Sequence, residues 1–188
     1  ACDWADAGKI NRRPRKGIVA KKKMCYNNGR NQTKKQDRTG ELYMMEIRNC
    51  TMADFDLAFD YIEKLWTYNT YDRDTILKVY QEVLENPNDF AFFLYDEGEP
   101  VGFCHGTYFN TFWLSGQTCY VSSIYSDATR RRKGYGRALM DHAKKLAEER
   151  GCHAIVLDSG MPRVEAHTFY EIYGFERCAF CFELKLGK

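Results

Sequence analysis

Long apolar stretches are missing from this sequence of 188 residues. No run approaches the ~20 consecutive apolar residues that a membrane-spanning helix requires, and the basic N-terminus lacks the apolar core of a secretory signal peptide. The eight cysteines are scattered, and several stand inside apolar runs, where a free thiol behaves as a small hydrophobic side chain. We therefore expect a cytoplasmic protein with free thiols and no membrane partner.

Spacings typical of metal sites are also lacking. Cys178 and Cys181 form the only close cysteine pair, without the second pair or the matching histidines of a zinc site. Residues three apart in an extended strand also face opposite sides. We expect no metal site.

Charge is distributed unevenly along the chain. Residues 1–44 contain twelve Lys and Arg against four Asp and Glu, so this segment carries a net charge of +8 and the rest −6. Little of the segment is apolar, which predicts disorder. It could be a nucleic-acid-binding arm, a solvated tail without a specific role, or an extension foreign to the native protein, with Met44 or Met45 as the natural start. We favour the last interpretation, which gives a domain over residues 45–188 and no nucleic-acid partner.

The most informative motif is Arg131-Arg132-Lys133-Gly134-Tyr135-Gly136. It follows an apolar, β-branched run and opens an amphipathic helix, so backbone N–H groups at the helix start are directed at one spot. Helix N-termini bind phosphate-like anions, glycines allow a close approach of the backbone, and the basic side chains add charge. The P-loop spacing and the third glycine of a dinucleotide-binding fingerprint are both absent.

The pattern Arg-x-x-Gly-x-Gly, late in the chain and after a strand, resembles the pyrophosphate-binding loop of the GCN5-related N-acetyltransferases (GNAT). A second segment resembles the family's other signature, Ala-x-x-Phe-Tyr-x-x-x-Gly-Phe, which is matched by Ala166, Phe169, Tyr170, Gly174 and Phe175. The resemblance implies an α/β fold with a mixed sheet, of the GNAT acyl-CoA N-acyltransferase type, in a single domain. It also implies transfer of an acetyl group from acetyl-CoA to an amine by direct attack in a ternary complex.

Hydrophobic periodicity and turn residues predict the element order β-α-α-β-β-β-α-β-α-β. Strands are expected over residues 46–49, 89–95, 101–112, 118–125, 152–157 and 175–186. The helix that contains Tyr170 should end at Gly174, because glycine commonly terminates helices.

The resemblance implies a role for each matching position. Ile124, Tyr125 and Ser126 correspond to the strand segment whose backbone pairs with the pantetheine arm and polarises the thioester carbonyl. The pyrophosphate cradle corresponds to Arg131, Arg132, Lys133, Gly134, Tyr135 and Gly136. Tyr170 corresponds to the hydroxyl near the coenzyme sulfur, the candidate general acid, and His167 is expected one turn earlier on the coenzyme side.

Two positions depart from the family pattern. Many relatives carry Glu or Asp on the central strand as the general base, where this chain has Ser122 and Ser123. Hydroxyls are poor bases, so deprotonation is expected through ordered water or another residue, with Asp158 the best candidate and His105 behind it. Arg163 stands where relatives often have an Asn that touches the coenzyme, and it could instead reach a phosphate or be exposed.

The acceptor is the least determined feature. In this fold the acceptor site is built by the first two helices, their loop and a late hairpin, here residues 65–72 and 108–113. Their aromatic and acidic side chains suit a cationic amine, and they suit ordinary packing equally well. A small amine, an aminoglycoside-like compound, an amino acid and a peptide amine all stay open. A non-catalytic coenzyme A-binding module is the alternative function, and a homodimer is open by analogy with relatives.

Overall fold

The computed structural model describes residues 31–36 and 42–186, with side chains described from Met45 onward. Its strands are β1 (Asn31–Gln36), β2 (Leu42–Asn49), β3 (Asp89–Asp96), β4 (Glu99–Thr111), β5 (Gly116–Ser126) and β6 (Ala154–Val156). Its helices are α1 (Phe55–Leu65), α2 (Arg73–Glu85), α3 (Tyr135–Glu149) and α4 (Val164–Tyr173). The strands form one sheet in the order β1-β2-β3-β4-β5-β6.

The sheet is mixed, as the family resemblance implies. Strands β1 to β5 pair antiparallel with their neighbours, whereas β5 and β6 run parallel. The β5–β6 pairing joins only Thr118–Tyr120 to Ala154–Val156. On the side away from β4, residues 121–126 of β5 therefore have no strand partner within the described part of the chain. The two strands leave an opening at their carboxyl ends.

Helices cover both faces of the sheet. Four consecutive residues of β3, 91–94, are buried, which is the pattern of a strand packed on both sides. Phe92 and Leu94 belong to the core beneath α3, and Phe93 belongs to the core beneath α1 and α2. Successive side chains of a strand point to opposite faces of the sheet, so this one apolar run contributes to two cores of a single domain.

Side-chain caps and glycines set the helix ends. The Thr51 backbone N–H donates to Asp54 Oδ2 at 2.8 Å in a capping box just before α1. Asp72 accepts from the Thr75 backbone N–H at 2.8 Å and begins α2. Gly151 (φ +77°) and Gly174 (φ +122°) follow α3 and α4 in conformations that favour glycine. The predicted end of the Tyr170 helix at Gly174 is confirmed.

The sheet begins earlier in the chain than the sequence predicts. Strand β2 starts at Leu42 rather than at residue 46, so the expected domain boundary before residue 45 falls inside it. Strand β1 pairs with β2 from Asn31–Ile47 to Gln36–Leu42. The disorder expected for residues 1–44 thus does not extend to β1, because composition does not reveal the hydrogen bonds that a sheet edge offers. Residues 1–30 and 37–41, which share that expectation, lie outside the described residues.

The predicted final strand over residues 175–186 is wrong. The structure forms neither helix nor strand there, and the side chains of Phe180, Phe182, Leu184 and Leu186 are 83–92% exposed. An alternating pattern gives a segment one apolar face, but a strand also needs an edge to pair with. Within one copy of the chain this segment pairs with no edge.

No helix among the described residues is long and apolar enough to cross a bilayer. In the same residues, no group of three or more His, Cys, Asp or Glu side chains is arranged to hold a metal ion. The described cysteines are free; Cys178 and Cys181 are exposed, and Cys50, Cys104 and Cys119 are buried.

Candidate active site

An open cleft lies where β5 and β6 separate. It is lined by the end of α1 and the residues after it, by β5, by the segment after β6 and by α4. The lining residues are Leu65, Trp66, Tyr68, Val121, Ser122, Ile124, Asp158, Ser159, Gly160, Arg163 and Tyr170. The cleft therefore brings together Ile124, Asp158 and Tyr170, three of the residues singled out from the sequence.

A β-bulge shapes the central strand at the cleft. His105 pairs with Ser123 and Gly106 with Val121, so Ser122 is the extra residue of β5. Bulges bend a strand and redirect one side chain. Ser122 Oγ lies 2.6 Å from His105 Nδ1, and burial lowers the pKa of His105 below 6.5, with a smaller opposing effect of Asp89. The imidazole is therefore neutral at neutral pH and hydrogen-bonded to a side chain that lines the cleft.

The basic loop is the segment between β5 and α3, residues 127–134, and its first residue is hydrogen-bonded to the sheet. The Asp127 backbone N–H donates to the Val101 carbonyl at 2.9 Å, and its carboxylate accepts from the Thr129 backbone N–H at 2.8 Å. The loop ends at Gly134, the residue before α3, with φ +82°. A Cβ on Gly134 would meet no atom within 4 Å, so the left-handed backbone explains this glycine better than lack of space does.

No side chain caps the N-terminus of α3. Its N-cap residue is Gly134. The hydrogen bonds of the helix begin where the Ala138 N–H donates to the Gly134 carbonyl at 2.9 Å. The preceding N–H groups of the first turn have no acceptor within the helix. Gly134 and its basic neighbours are exposed. This helix end can thus receive an anion.

A buried carboxylate supports the loop from below. Asp96, at the end of β3, is 2% exposed and accepts a hydrogen bond from the Tyr135 hydroxyl at 2.5 Å. Lys133 Nζ lies 4.0 Å from the same Asp96 oxygen. Burial, and then the Asp96 hydrogen bond, raise the pKa of Tyr135. Tyr135 therefore anchors the start of α3 instead of presenting its side chain to a ligand.

Tyr135→Phe tests this anchor. Removing the hydroxyl takes a hydrogen-bond donor from a buried carboxylate, so we expect the free energy of unfolding to fall by about 1–3 kcal/mol. Tyr68→Phe is the matched control, because Tyr68 is 76% exposed and should change stability by less than ~0.5 kcal/mol. Urea unfolding of both variants measures the difference; equal midpoints would contradict the anchoring role.

Arg131 connects the loop to α4. Its guanidinium donates to Glu165 Oε2 at 2.6 Å, with both side chains mostly exposed. Such a pair contributes little to stability, so it can open to let Arg131 reach an anion. Arg132 has a left-handed backbone, φ +67°, and is exposed. Gly136 faces α4, where an added Cβ would lie 3.6 Å from the Phe169 ring.

Tyr170 enters the cleft from α4. Its ring packs against Phe169 and Phe175, with centroids 5.4 and 5.8 Å away. Burial raises the pKa of Tyr170, and the nearby Arg163 charge opposes this in part. The hydroxyl therefore keeps its proton at neutral pH, as a proton donor must.

Arg163 is part of the cleft wall. Its guanidinium donates to the Leu65 carbonyl and joins the start of α4 to the end of α1. Of the two possibilities that the sequence leaves open, a phosphate ligand or an exposed side chain, the structure excludes the fully exposed one. Arg163 is half-buried and engaged with backbone.

Asp158 lies in the segment between β6 and α4, and His167, on α4, contacts that segment. Asp158 is exposed at the cleft, and its Oδ2 accepts from the Tyr120 hydroxyl at 3.0 Å. Burial and this hydrogen bond raise the pKa of Tyr120 to about 12. His167 Nε2 lies 3.1 Å from the Gly160 carbonyl, so this ring holds the loop after β6.

The two segments expected to form the acceptor site are placed differently. Leu65, Trp66 and Tyr68 line the cleft. In the second segment, Tyr108 is buried in the core beneath α3, and Phe112 and Trp113 are 103% and 69% exposed at the β4–β5 hairpin. Neither part of the second segment lines the cleft.

Sequence reasoning missed part of the site. Among the described residues, three buried side-chain atoms have no hydrogen-bond partner: Asp96 Oδ1, His105 Nε2 and Ser159 Oγ. Buried polar atoms are nearly always paired, and exceptions need an explanation. Asp96 lies beneath the basic loop, His105 pairs with β5 at the bulge, and Ser159 lines the cleft. No local sequence signal marks Asp96 or Ser159, because their roles depend on contacts with distant segments.

Comparison with known proteins agrees with the fold described above. Residues 46–175 match the acetyltransferase (GNAT) family. The chain belongs to this family. Its GNAT relatives include an uncharacterized N-acetyltransferase of Bacillus subtilis, 28% identical over 99 residues that cover 53% of this chain and 69% of the relative. Another, from Methanocaldococcus jannaschii, is 28% identical over 145 residues, which cover 69% of this chain and 60% of the relative.

Solved structures show the same GNAT fold. The aminoglycoside N-acetyltransferase AAC(6')-Iy in complex with CoA superposes with a TM-score of 0.68 at 16% identity, covering 77% of this chain and 95% of that one. A transcriptional regulator from Bacillus halodurans superposes with a TM-score of 0.69 at 21% identity, covering 76% and 99%. At such identities the similarity shows the fold alone.

Proposed function

We propose that the protein is an N-acetyltransferase that moves an acetyl group from acetyl-CoA to an amine of a small molecule or peptide. One observation carries the proposal: the unpaired edge of β5 leads from the cleft of Tyr170 directly to the uncapped N-terminus of α3. An elongated ligand with amides in its middle and phosphates at one end suits this path. Acetyl-CoA supplies the acetyl group as a thioester.

The described residues fit such a ligand at each point. The backbone of Ile124, Tyr125 and Ser126 lies on the unpaired edge of β5, where it can pair with the amides of an extended arm. The first turn of α3 offers N–H groups to a pyrophosphate, and Arg131, Arg132 and Lys133 offer charge. Ser159 Oγ, buried and unpaired at the cleft wall, can bond to a ligand.

Tyr170 is proposed as the general acid. The thiolate that leaves when the amine attacks needs a proton, and the raised pKa of Tyr170 keeps one on its hydroxyl. A backbone N–H of residues 124–126 can stabilise the negative charge that develops on the carbonyl oxygen, since preorganised donors do so without reorganising. Packing of the Tyr170 ring against Phe169 and Phe175 fixes the position of the donor.

Asp158 is proposed as the general base. A lysine-like amine has a pKa near 10.4 and must lose a proton before it attacks. Asp158 supplies a carboxylate at the cleft, and the Tyr120 hydroxyl orients it. The alternative is the Ser122–His105 pair, in which a neutral imidazole accepts the proton by way of the serine hydroxyl.

Substitutions separate these two bases. We expect Asp158→Asn to lower kcat/KM by about 10²–10⁴-fold and His105→Gln to change it only within a few fold. If the reverse holds, the Ser122–His105 pair is the base. In that case the rate should fall as pH falls through a pKa below 6.5, since acid protonates His105, and this acidic limb should vanish in His105→Gln. Rates measured over a pH series, with acetyl-CoA binding as the folding control, decide between them.

The acceptor is proposed to be a cationic amine. Trp66 and Tyr68 offer aromatic faces at the cleft, and Asp158 adds a carboxylate; both attract cations. Small amines, aminoglycosides, amino acids and peptide amines share this chemistry. A non-catalytic coenzyme A-binding module is the competing function, and the absence of a carboxylate at Ser122 and Ser123 is its only support.

Detection of acetyl transfer by mass spectrometry is the direct test. The panel holds polyamines, aminoglycosides, amino acids and lysine or N-terminal peptides, each with a control that lacks enzyme. Mass detection avoids thiol reagents, which the eight cysteines would confuse. Acetylation of one class supports the enzyme and identifies its acceptor. Tight acetyl-CoA binding without any acetylated product favours the non-catalytic module.

We further infer a cytoplasmic location and no role for nucleic acid. Residues 45–188 carry six more acidic than basic side chains, which disfavours binding of a polyanion.

A chain that starts at residue 45 should keep its activity if the basic segment is foreign to the native protein. A start at residue 45 also removes β1 and the first three residues of β2, so a start at residue 31 is the matched comparison.

A further inference from the structure

The cleft is lined by one side chain of each charge. Asp158 is its acidic residue and Arg163 its basic residue, and the other lining residues are uncharged. A cleft that binds a polycation, such as a polyamine or an aminoglycoside, is expected to carry an excess of carboxylates, because like charges repel. A cleft that has no net charge suits an acceptor that carries both signs.

Arg163 has no counter-charge within the described part of the chain. It is half-buried, and its guanidinium donates to a neutral acceptor, the Leu65 carbonyl. Arg131 and Arg177, by contrast, each pair with a glutamate. A guanidinium stays charged in proteins and offers several N–H donors, and burial of an unpaired charge is costly. Arg163 therefore keeps both charge and donors for a ligand in the cleft.

A second donor without a partner lies at the same cleft. Ser159 Oγ is buried and forms no hydrogen bond with the described residues. Ser159 and Arg163 both line the cleft from the segment between β6 and α4. Guanidinium and hydroxyl groups are donors that suit a carboxylate. The basic loop and the start of α3, where phosphates are proposed to bind, do not line the cleft, so a coenzyme phosphate is not the expected ligand of Arg163.

We propose that the acceptor is an amine that also carries a carboxylate, of which a free amino acid is the simplest case, and that Arg163 and Ser159 bind this carboxylate. The inference rests on the acetyl transfer proposed above and narrows the class of its acceptor. The Arg163 charge partly opposes the rise in the pKa of Tyr170, so the guanidinium lies near the proposed general acid. A carboxylate bound by Arg163 holds an amine a few bonds away at the reacting end of the cleft, which Asp158 also lines.

Matched pairs of acceptors test this proposal with the unaltered protein. Each free amino acid of a mixed set is compared with its own carboxamide, which keeps the amine and lacks the negative charge. Acetyl transfer is followed by mass spectrometry. We expect kcat/KM for the best amino acid to exceed that for its carboxamide by about 10–100-fold, the effect of hydrogen bonds between charged groups.

Arg163→Gln should abolish this preference for the amino acid. Glutamine can still donate to the Leu65 carbonyl but carries no charge, so kcat/KM for the carboxamide should change only within a few fold. Arg177→Gln is the matched control, because it makes the same change just after α4, at a side chain that pairs with Glu171 and does not line the cleft. This variant should keep the preference.

Carboxamides or polyamines acetylated as well as the amino acids would overturn the carboxylate site and leave the acetyltransferase standing. An Arg163→Gln variant that loses acetyl-CoA affinity but keeps the preference would also overturn it, since Arg163 would then bind the coenzyme. Calorimetric titration of amino acids into the protein with CoA separates the two proposals. Binding that requires the carboxylate and Arg163, without turnover, would support the site and overturn the enzyme, whereas neither binding nor turnover would overturn both. Should Arg163→Gln fail to fold, the acceptor pairs with the unaltered protein still decide.

Discussion

Tyr170→Phe is expected to lower kcat by about 10²–10⁴-fold, the usual contribution of a positioned proton donor. The substitution removes one oxygen and leaves the ring, which packs against Phe169 and Phe175. Acetyl-CoA should therefore bind as before, because its proposed contacts lie on β5 and at the start of α3. Steady-state rates with calorimetric binding of acetyl-CoA separate the two effects.

Tyr173→Phe provides the matched control for Tyr170→Phe. Tyr173 lies on the same helix, and its hydroxyl donates to Asp141 Oδ1 at 3.0 Å, on the exposed side of α3. Its removal should reduce stability slightly and leave kcat unchanged. If both variants keep full activity, Tyr170 is not the acid. If Tyr170→Phe loses acetyl-CoA binding as well as turnover, the hydroxyl acts in binding instead.

Phe92→Ala should have the largest effect on stability. Phe92 is 0% exposed, at the centre of β3, where its ring contacts Phe90 and His142 with centroids 6.0 and 4.6 Å away. The sheet is covered on both faces and cannot collapse into the vacated space. We expect a loss of about 3–5 kcal/mol in the free energy of unfolding, from lost burial and the cavity together.

Phe112→Ala is the control for Phe92→Ala, since it makes the same chemical change at a side chain that is 103% exposed. Its effect should stay within ~0.5 kcal/mol. Urea unfolding at one protein concentration, followed by fluorescence and circular dichroism, gives both values. Similar losses for the two variants would mean that β3 is not the packed centre of the domain.

Features that depend on neighbouring residues are predictable from this sequence. The basic loop, the start of α3 near Gly136, and the end of α4 at Gly174 all follow from local signals: a strand, a glycine and a helical periodicity. The mixed sheet follows from the family resemblance. Burial on both sides of β3 is visible as a continuous apolar run.

Features that depend on distant residues are not predictable in this way. The Arg163–Leu65 hydrogen bond joins positions 98 residues apart, and the Tyr135–Asp96 bond spans 39. The alternating pattern of residues 176–186 predicts a strand that the structure does not form, because pairing depends on an edge that no local pattern reveals. The bulge at Ser122 likewise arises from the register between β4 and β5.

The buried Asp96 beneath the basic loop has a consequence for how this chain can change over evolutionary time. Its carboxylate and the Tyr135 hydroxyl form one buried unit, so losing either partner alone leaves a polar group stranded in the core. Changing both to apolar residues of similar shape avoids that cost. Sequence change at the basic loop is therefore tied to a position on β3, and Tyr135 and Asp96 should be inherited as a pair.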